Sequence, residues 1–197
     1  MSRGRIQTRL DPWVRREQIV DAAARVLEGH DPAEVTFEAI ADEAGVSRAL
    51  VYKHFGDRGG LLAAVYMRNV ERLGDELRAA VEDLRDPSEL VREFVRCYLR
   101  FAFSNSATWR LLQLAGTVHH PAVQRARREW MERLAAMVGG SSEARIVAYG
   151  VVGLMEAATL DWLDTEDVDS TRLATVLSDF LWGGMSAISR HGISLPV

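Results

Sequence analysis

The sequence predicts an all-α protein: a small N-terminal unit of three short helices, then a larger helical unit, about nine helices in 197 residues. Three observations carry that reading. Apolar residues recur at helical spacing nearly throughout, as in Ile19, Ala22, Ala23, Val26 and Leu27, or Leu62, Tyr66, Val70, Leu73, Leu77, Val81 and Leu84. Asp-Pro pairs punctuate the chain where helices should begin, at Asp11-Pro12, Asp31-Pro32 and Asp86-Pro87. No stretch shows the sustained alternation, bounded by hairpin turns, that strands require.

The elements follow in order. Asp11-Pro12 opens a helix over 12–29, closed by Gly29. The Asp oxygen accepts from first-turn N–H groups, and Pro lacks the donor that would go unused there. Asp31-Pro32-Ala33-Glu34 resembles a capping box. Thr36 caps a helix over 36–43 that Gly45 ends, Ser47 caps 47–54, and Asp57 caps a long helix over 57–84. Asp86-Pro87-Ser88-Glu89 starts 87–104, and 105–116 follows. A helix over 120–138 stops at Gly139-Gly140, Ser141-Ser142 reads as the cap of 142–164, and Ser170 caps 170–191. The expected division is 1–56, with 1–11 as a flexible arm, and 57–197, the helix after Asp57 joining the two.

Composition narrows the function. Half the residues are hydrophobic (48%) and a quarter charged (26%), which fits a soluble globular domain and excludes a disordered one. Cys97 is the only cysteine, so no disulfide forms within the chain and a reducing cytoplasm is the expected compartment. Met1 to Asp11 has no apolar run, so no secretory signal is expected. The longest apolar stretch, Ile146 to Met155, is too short to cross a bilayer. A net charge of −4 does not favour nucleic acid by itself, but it hides local patterning. Arg3, Arg5 and Arg9 stand in a stretch without acids, and so do Arg48, Lys53 and His54 in 44–56.

The stretch from Thr36 to Phe55 carries the chemistry. Ile40 and Ala44 point inward, the small Ala41 admits a close neighbour, Gly45 permits a left-handed turn, and Val46 plugs the corner. Val51 and Phe55, four apart, bury one side of the next helix. Two short helices, a tight Gly turn and an apolar corner make a helix-turn-helix. Arg48, Ala49, Tyr52 and Lys53 are left outside, with Leu50 at the margin. Arg48 can offer a fork to guanine, and Ala49 and Leu50 can touch a thymine methyl. Tyr52, Lys53 and His54 can reach phosphates, which position without specifying. Arg3, Arg5 and Arg9 form either a groove-binding arm or a plain tail.

Residues 15–62 resemble the DNA-binding domain of the TetR family of bacterial transcriptional regulators. The matching string is Thr36, Ile40-Ala41, Ala44-Gly45-Val46-Ser47, Val51-Tyr52 and His54-Phe55. The resemblance implies that Thr36, Ser47, Arg48, Ala49, Leu50, Tyr52, Lys53 and His54 line the DNA, with Arg58 flanking. Two departures stand out: Val51 replaces the usual Leu, and Asp57-Arg58-Gly59-Gly60 replaces a Lys-acid-acid turn. Paired glycines should loosen the first turn of that helix, at about 0.8–1.0 kcal/mol each relative to Ala.

The last two helices are apolar on every side: Ile146 to Leu160 holds one charge, Glu156, and Phe180 to Ser189 holds none. Such helices must be covered on every side, and a second copy of the chain is the available cover. The expected two-fold homodimer packs two helices per chain into a four-helix bundle through Ile146, Gly150, Gly153, Leu154, Ala157, Leu177, Phe180, Leu181, Gly184 and Ile188. The alternative is one helix central within the monomer. The resemblance implies the same dimer, and also a small-molecule effector pocket in the C-terminal domain. Candidate lining residues are Phe94, Tyr98, Phe101, Trp109, Leu112, Trp130, Met131, Met137, Tyr149, Met155 and Trp162, against the plainer reading of aromatics as core packing. Cys97 reads as a small buried hydrophobe.

No catalytic constellation, metal site or cofactor motif is expected; His119-His120 are adjacent and do not share a helix face. The function expected is a ligand-responsive repressor that binds a palindromic operator as a homodimer and is released by an apolar or amphipathic effector. The alternative is a helical protein-interaction dimer whose helix-turn-helix no longer binds DNA.

Overall fold

In a computed structural model the described residues are 11–28, 30, 34–110, 119–137 and 140–190. They form nine helices and no strand. These are α1 (Pro12–Glu28), α2 (Phe37–Ala44), α3 (Arg48–Phe55), α4 (Arg58–Val81), α5 (Pro87–Ser104), α6 (Ser106–Arg110), α7 (Pro121–Met137), α8 (Ser142–Thr165) and α9 (Ser170–Arg190). Most of the Asp31-Pro32 box, Gly29, the Arg3/Arg5/Arg9 arm and the second half of the helix expected over 105–116 lie outside the described residues.

Side-chain caps set the starts. Asp11 accepts from Trp13 N, Thr36 from Ala39 N, Ser47 from Leu50 N, Asp57 from Gly60 N, Asp86 from Ser88 N and Glu89 N, and Ser141 from Ala144 N. One expected cap is corrected: α9 is capped by Asp169, whose carboxylate accepts from Arg172 N, and Ser170 is the first helical residue. An acidic side chain at that position also complements the helix dipole. α4 ends at Val81, three residues before the expected stop.

Two larger cores divide the packing, with a small third cluster of Ala63, Tyr66 and Val123. The first joins Ile19, Ala23 and Leu27 of α1, Phe37, Ile40 and Ala44 of α2, Val51 of α3, and Leu61, Leu62, Ala64 and Val65 of α4. The second joins Leu73 and Leu77 of α4 to α5, α6, α8 and α9, and contains Cys97. One rigid helix, α4, therefore carries side chains in both cores. Gly74 lets Trp130 of α7 approach so closely that a Cβ there would lie 2.8 Å from the indole.

Glu156, the lone charge of its stretch, lies in the interior between α4, α7 and α8. It pairs with Arg127 and accepts from the Tyr66 hydroxyl. Burial pushes its carboxyl pKa up, and Arg127 pulls it down. Replacing Arg127 with Met strands this carboxylate and is expected to cost about 3 kcal/mol at neutral pH. The loss of Arg127 raises the folded-state pKa of Glu156 further above its unfolded value. Stability of the variant is then largest at low pH, where Glu156 is protonated, and falls as pH rises through the folded pKa. Urea unfolding at pH 7.5 and pH 5 checks this: the deficit relative to the parent should shrink at pH 5, and an unchanged deficit would contradict it.

Candidate nucleic-acid interface

Local hydrogen bonding builds the α2–α3 corner. Gly45 adopts φ +62°, and Val46 N donates to Ala41 O at 2.9 Å while Gly45 N donates to Asp42 O at 3.1 Å. That pair of bonds is a Schellman ending, which needs a left-handed residue and explains the glycine. Ser47 caps α3 immediately after. Gln18 of α1 donates to Ala44 O at 2.9 Å and holds the far end of α2.

Val51 is fully buried and Phe55 packs partly against the same core. Ser47, Arg48, Ala49, Tyr52 and Lys53 are exposed together on the opposite side, with Leu50 and His54 half-buried at its edges. Thr36 and Arg58 are exposed as well. Arg58 Nε donates to Val35 O at 3.0 Å, tying the start of α4 to the residue before the α2 cap.

Arg48 is held rather than loose. Its guanidinium lies 2.5 Å from Glu38 Oε1, donates to Tyr52 Oη at 3.4 Å, and covers the Tyr52 ring at 5.5 Å. Phe37 meets that ring edge-on at 4.5 Å. Glu38 is an acid that the segment from 44 to 56 does not contain; the preceding helix brings it across. The expectation of a wholly acid-free face is corrected accordingly. Partial burial, with Lys53, Arg16 and Arg15 nearby, lowers the pKa of His54. Arg16 itself stacks over the Phe55 ring at 5.1 Å. Glu38, Gln18 and Arg16 escaped the sequence reading because their partners lie 10 to 39 positions away along the chain.

The α3–α4 corner also differs from expectation. Gly56 sits at φ +76°, ψ −62°, and Asp57 N donates to Phe55 O at 2.9 Å, which is a γ-turn. Gly60 has a steric role at this corner beyond its helix propensity. A Cβ there would lie 2.2 Å from Phe55 O, so the glycine lets the two helices meet.

In the C-terminal domain, Ile146, Phe180 and Tyr149 are exposed (72%, 68% and 45%), along with Val176 and Trp182. Gly150, Gly153 and Gly184 are open to solvent, with no atom within 4 Å of where a Cβ would stand, and Ala157 is exposed too. Leu154 and Ile188 are half-buried. Leu177 and Leu181 are corrected: both are buried in the chain's own second core, because that edge of α9 packs on α5. By length and composition α8 as a whole could cross a membrane, although its uninterrupted apolar run is short.

The pocket candidates separate. Tyr98, Phe101 and Trp109 pack on one another, with Trp109 Nε1 donating to Tyr98 Oη at 3.0 Å. Met155 and Met131 are buried, Trp130 packs on Gly74, and Trp162 stacks on Phe103 at 4.3 Å. Phe94 lines an apolar cavity of ≈ 170 Å³ with Leu90, Leu134, Val151 and Leu181. Tyr149 is corrected as a lining residue, since it is on the outer side of α8 with Ile146. Leu112 and the Met137 side chain lie outside the described residues.

Known proteins share both halves. Residues 19–65 match the family model for bacterial regulatory proteins of the tetR family, and 87–184 match a tetracyclin repressor-like C-terminal domain. The HTH-type transcriptional activator FasR of Mycolicibacterium smegmatis is 28% identical over 186 residues, 88% of this chain and 84% of that protein. An HTH-type transcriptional regulator of Mycobacterium tuberculosis is 30% identical over 195 residues, 92% of this chain and 81% of that one. The transcriptional regulator FadR of Bacillus subtilis, solved with stearoyl-CoA, superposes with a TM-score of 0.66 at 14% identity, covering 84% of this chain and 96% of the other.

Proposed function

This chain belongs to the TetR family of HTH-type transcriptional regulators, and from that premise we propose that it binds a palindromic operator as a homodimer under control of a small effector. The supporting observation is the outward face of α3, seated on Val51 and presenting Ser47, Arg48, Ala49, Leu50, Tyr52 and Lys53 together. Arg48 reads a base edge. Tyr52, Lys53, Thr36 and His54 hold phosphates, and Arg58 flanks them. The glycine-flattened α8–α9 face makes the dimer. It sets the two α3 helices about 34–36 Å apart, one turn of duplex.

The working division is 1–56 for DNA and 57–197 for effector and partner, with α4 transmitting between them. An effector that binds one spacing of the two α3 helices better than another shifts the population toward it. FadR's stearoyl-CoA supports an amphipathic effector here, and the cavity beside Phe94 suits an apolar tail. Repression is the outcome where the operator overlaps a promoter. FasR, named an activator, shows that a relative's binding can have the opposite result. The protein works in the cytoplasm, where its DNA is.

A gel shift on the DNA upstream of the protein's own gene tests this. Binding should weaken steeply with salt through counterion release. Arg48→Ala should cost about 1–3 kcal/mol and relax one base position. Glu38→Gln should release Arg48, raising non-specific affinity and narrowing the gap between operator and random DNA. Unchanged shifts for Arg48→Ala and Lys53→Ala together would defeat the assignment.

A further inference from the structure

A groove of ≈ 500 Å³ runs between α5 and α9. Its α5 wall presents Arg92, Arg96 and Arg100, four residues apart, on a stripe about 12 Å long. Like charges at that spacing cost helix stability, so the row needs a reason. Arg92 donates to the Ser88 hydroxyl at 2.6 Å, and Arg96 has Glu93 at 3.8 Å. Among the described residues neither Arg92 nor Arg100 has a carboxylate within ion-pair distance, and Asp179 is the one carboxylate of the lining. The chain as a whole is acidic, so the row does not follow from general basicity.

The remaining surface is of two kinds. α9 contributes the hydroxyls of Thr171, Thr175 and Ser178, the last 5% exposed. Leu99, Phe103 and Ala174 add an apolar floor. Guanidinium forks take two oxygens of one phosphate at once, hydroxyls can satisfy a third, and an apolar floor takes a carbon body. The volume falls in the range of small-molecule sites, about 300–1,000 Å³. A stripe this long exceeds what one phosphate touches, so the ligand carries at least two phosphoryl groups. A concave floor of this kind does not suit a DNA backbone. The groove also uses the α5-facing side of α9, away from Val176 and Phe180.

We propose that the α5–α9 groove is a binding site for an organic diphosphate with an apolar body, held by Arg92, Arg96 and Arg100 over Phe103. The site requires neither operator nor dimer, so its failure would leave the DNA-binding reading standing.

Titration calorimetry on the full chain without DNA tests it, with geranyl diphosphate as the probe and geraniol and inorganic pyrophosphate as single-feature controls. Geranyl diphosphate should bind once per chain and at least tenfold more tightly than either control. Arg96→Gln/Arg100→Gln should weaken it at least tenfold while leaving the melting temperature unlowered, since like charges are removed. Arg96→Lys, which keeps charge but loses the fork, should fall between. Equal binding of pyrophosphate, retention of affinity by the double variant within twofold, or no binding at millimolar probe would each overturn the proposal. So would loss of duplex DNA affinity in the double variant without loss of the diphosphate, which would make the row a nucleic-acid contact.

Discussion

Phe180→Asp should convert the protein to a monomer and cut operator affinity by about 10²–10⁴-fold, the gain that linking two binding modules ordinarily confers. Phe180 is 68% exposed in the single chain, beside Val176 and Trp182 on α9. On α8, Ile146 and Tyr149 are also exposed, flanked by glycines whose missing methyls leave the surface flat. An exposed apolar patch of this kind supports the proposed subunit interface. A carboxylate at its centre would have to be desolvated without a partner, which opposes association. The substitution touches none of the α3 face, so binding by a single helix-turn-helix to a half-site should persist weakly. Light scattering and gel shifts on whole and half operators separate the two effects. A variant that stayed dimeric would move the interface away from this face.

Gly60→Ala should destabilise the N-terminal unit by about 1–3 kcal/mol, the usual cost of forcing an extra group into a packed site, and weaken operator binding with it. The reason is geometric. The added methyl would meet the Phe55 carbonyl oxygen at 2.2 Å, and a backbone oxygen cannot swing aside as a side chain can. Relief requires α3 to move away from α4, which tilts Arg48 and Tyr52 relative to the rest of the N-terminal unit. By helix propensity alone the same change would be favourable, because Ala is the better helix former. Denaturant unfolding therefore decides between the two physical effects by sign. A stabilised variant would mean that the α3–α4 corner is wider than the structure has it.

Local rules made most of the helices readable. Caps at Asp11, Thr36, Ser47, Asp57, Asp86 and Ser141 act within three residues of themselves, so their partners are visible in the string. Ser170 misleads for a related reason: Asp169 stands next to it and accepts from Arg172 N, placing the cap one residue earlier. The buried side of α3 was legible because Val51 and Phe55 are one turn apart. Charge was harder. The neighbour Lys53 is visible beside His54 in the string, but the burial that lowers the His54 pKa most, and Arg16 and Arg15 of α1, are not.

The glycines mark the same divide. Gly45 announces a left-handed turn by its neighbours Val46 and Ser47, whereas the need for Gly60 depends on where Phe55 O ends up. Likewise, Leu177 and Phe180 look equivalent as apolar residues of α9. Only the packing of α9 on α5 sends the first into the chain's own core and leaves the second outside.

By itself, then, the amino-acid order determined that the described residues are helical, where most of those helices begin, and which side of α3 is apolar. Those properties depend on neighbours within about one turn. Tertiary structure alone decided that Glu38 holds Arg48, that the His54 pKa is lowered by burial, that Glu156 meets Arg127, and that three arginines border a groove. Each depends on groups from different helices arriving at one place, and distances between helices are set by the packing of whole cores.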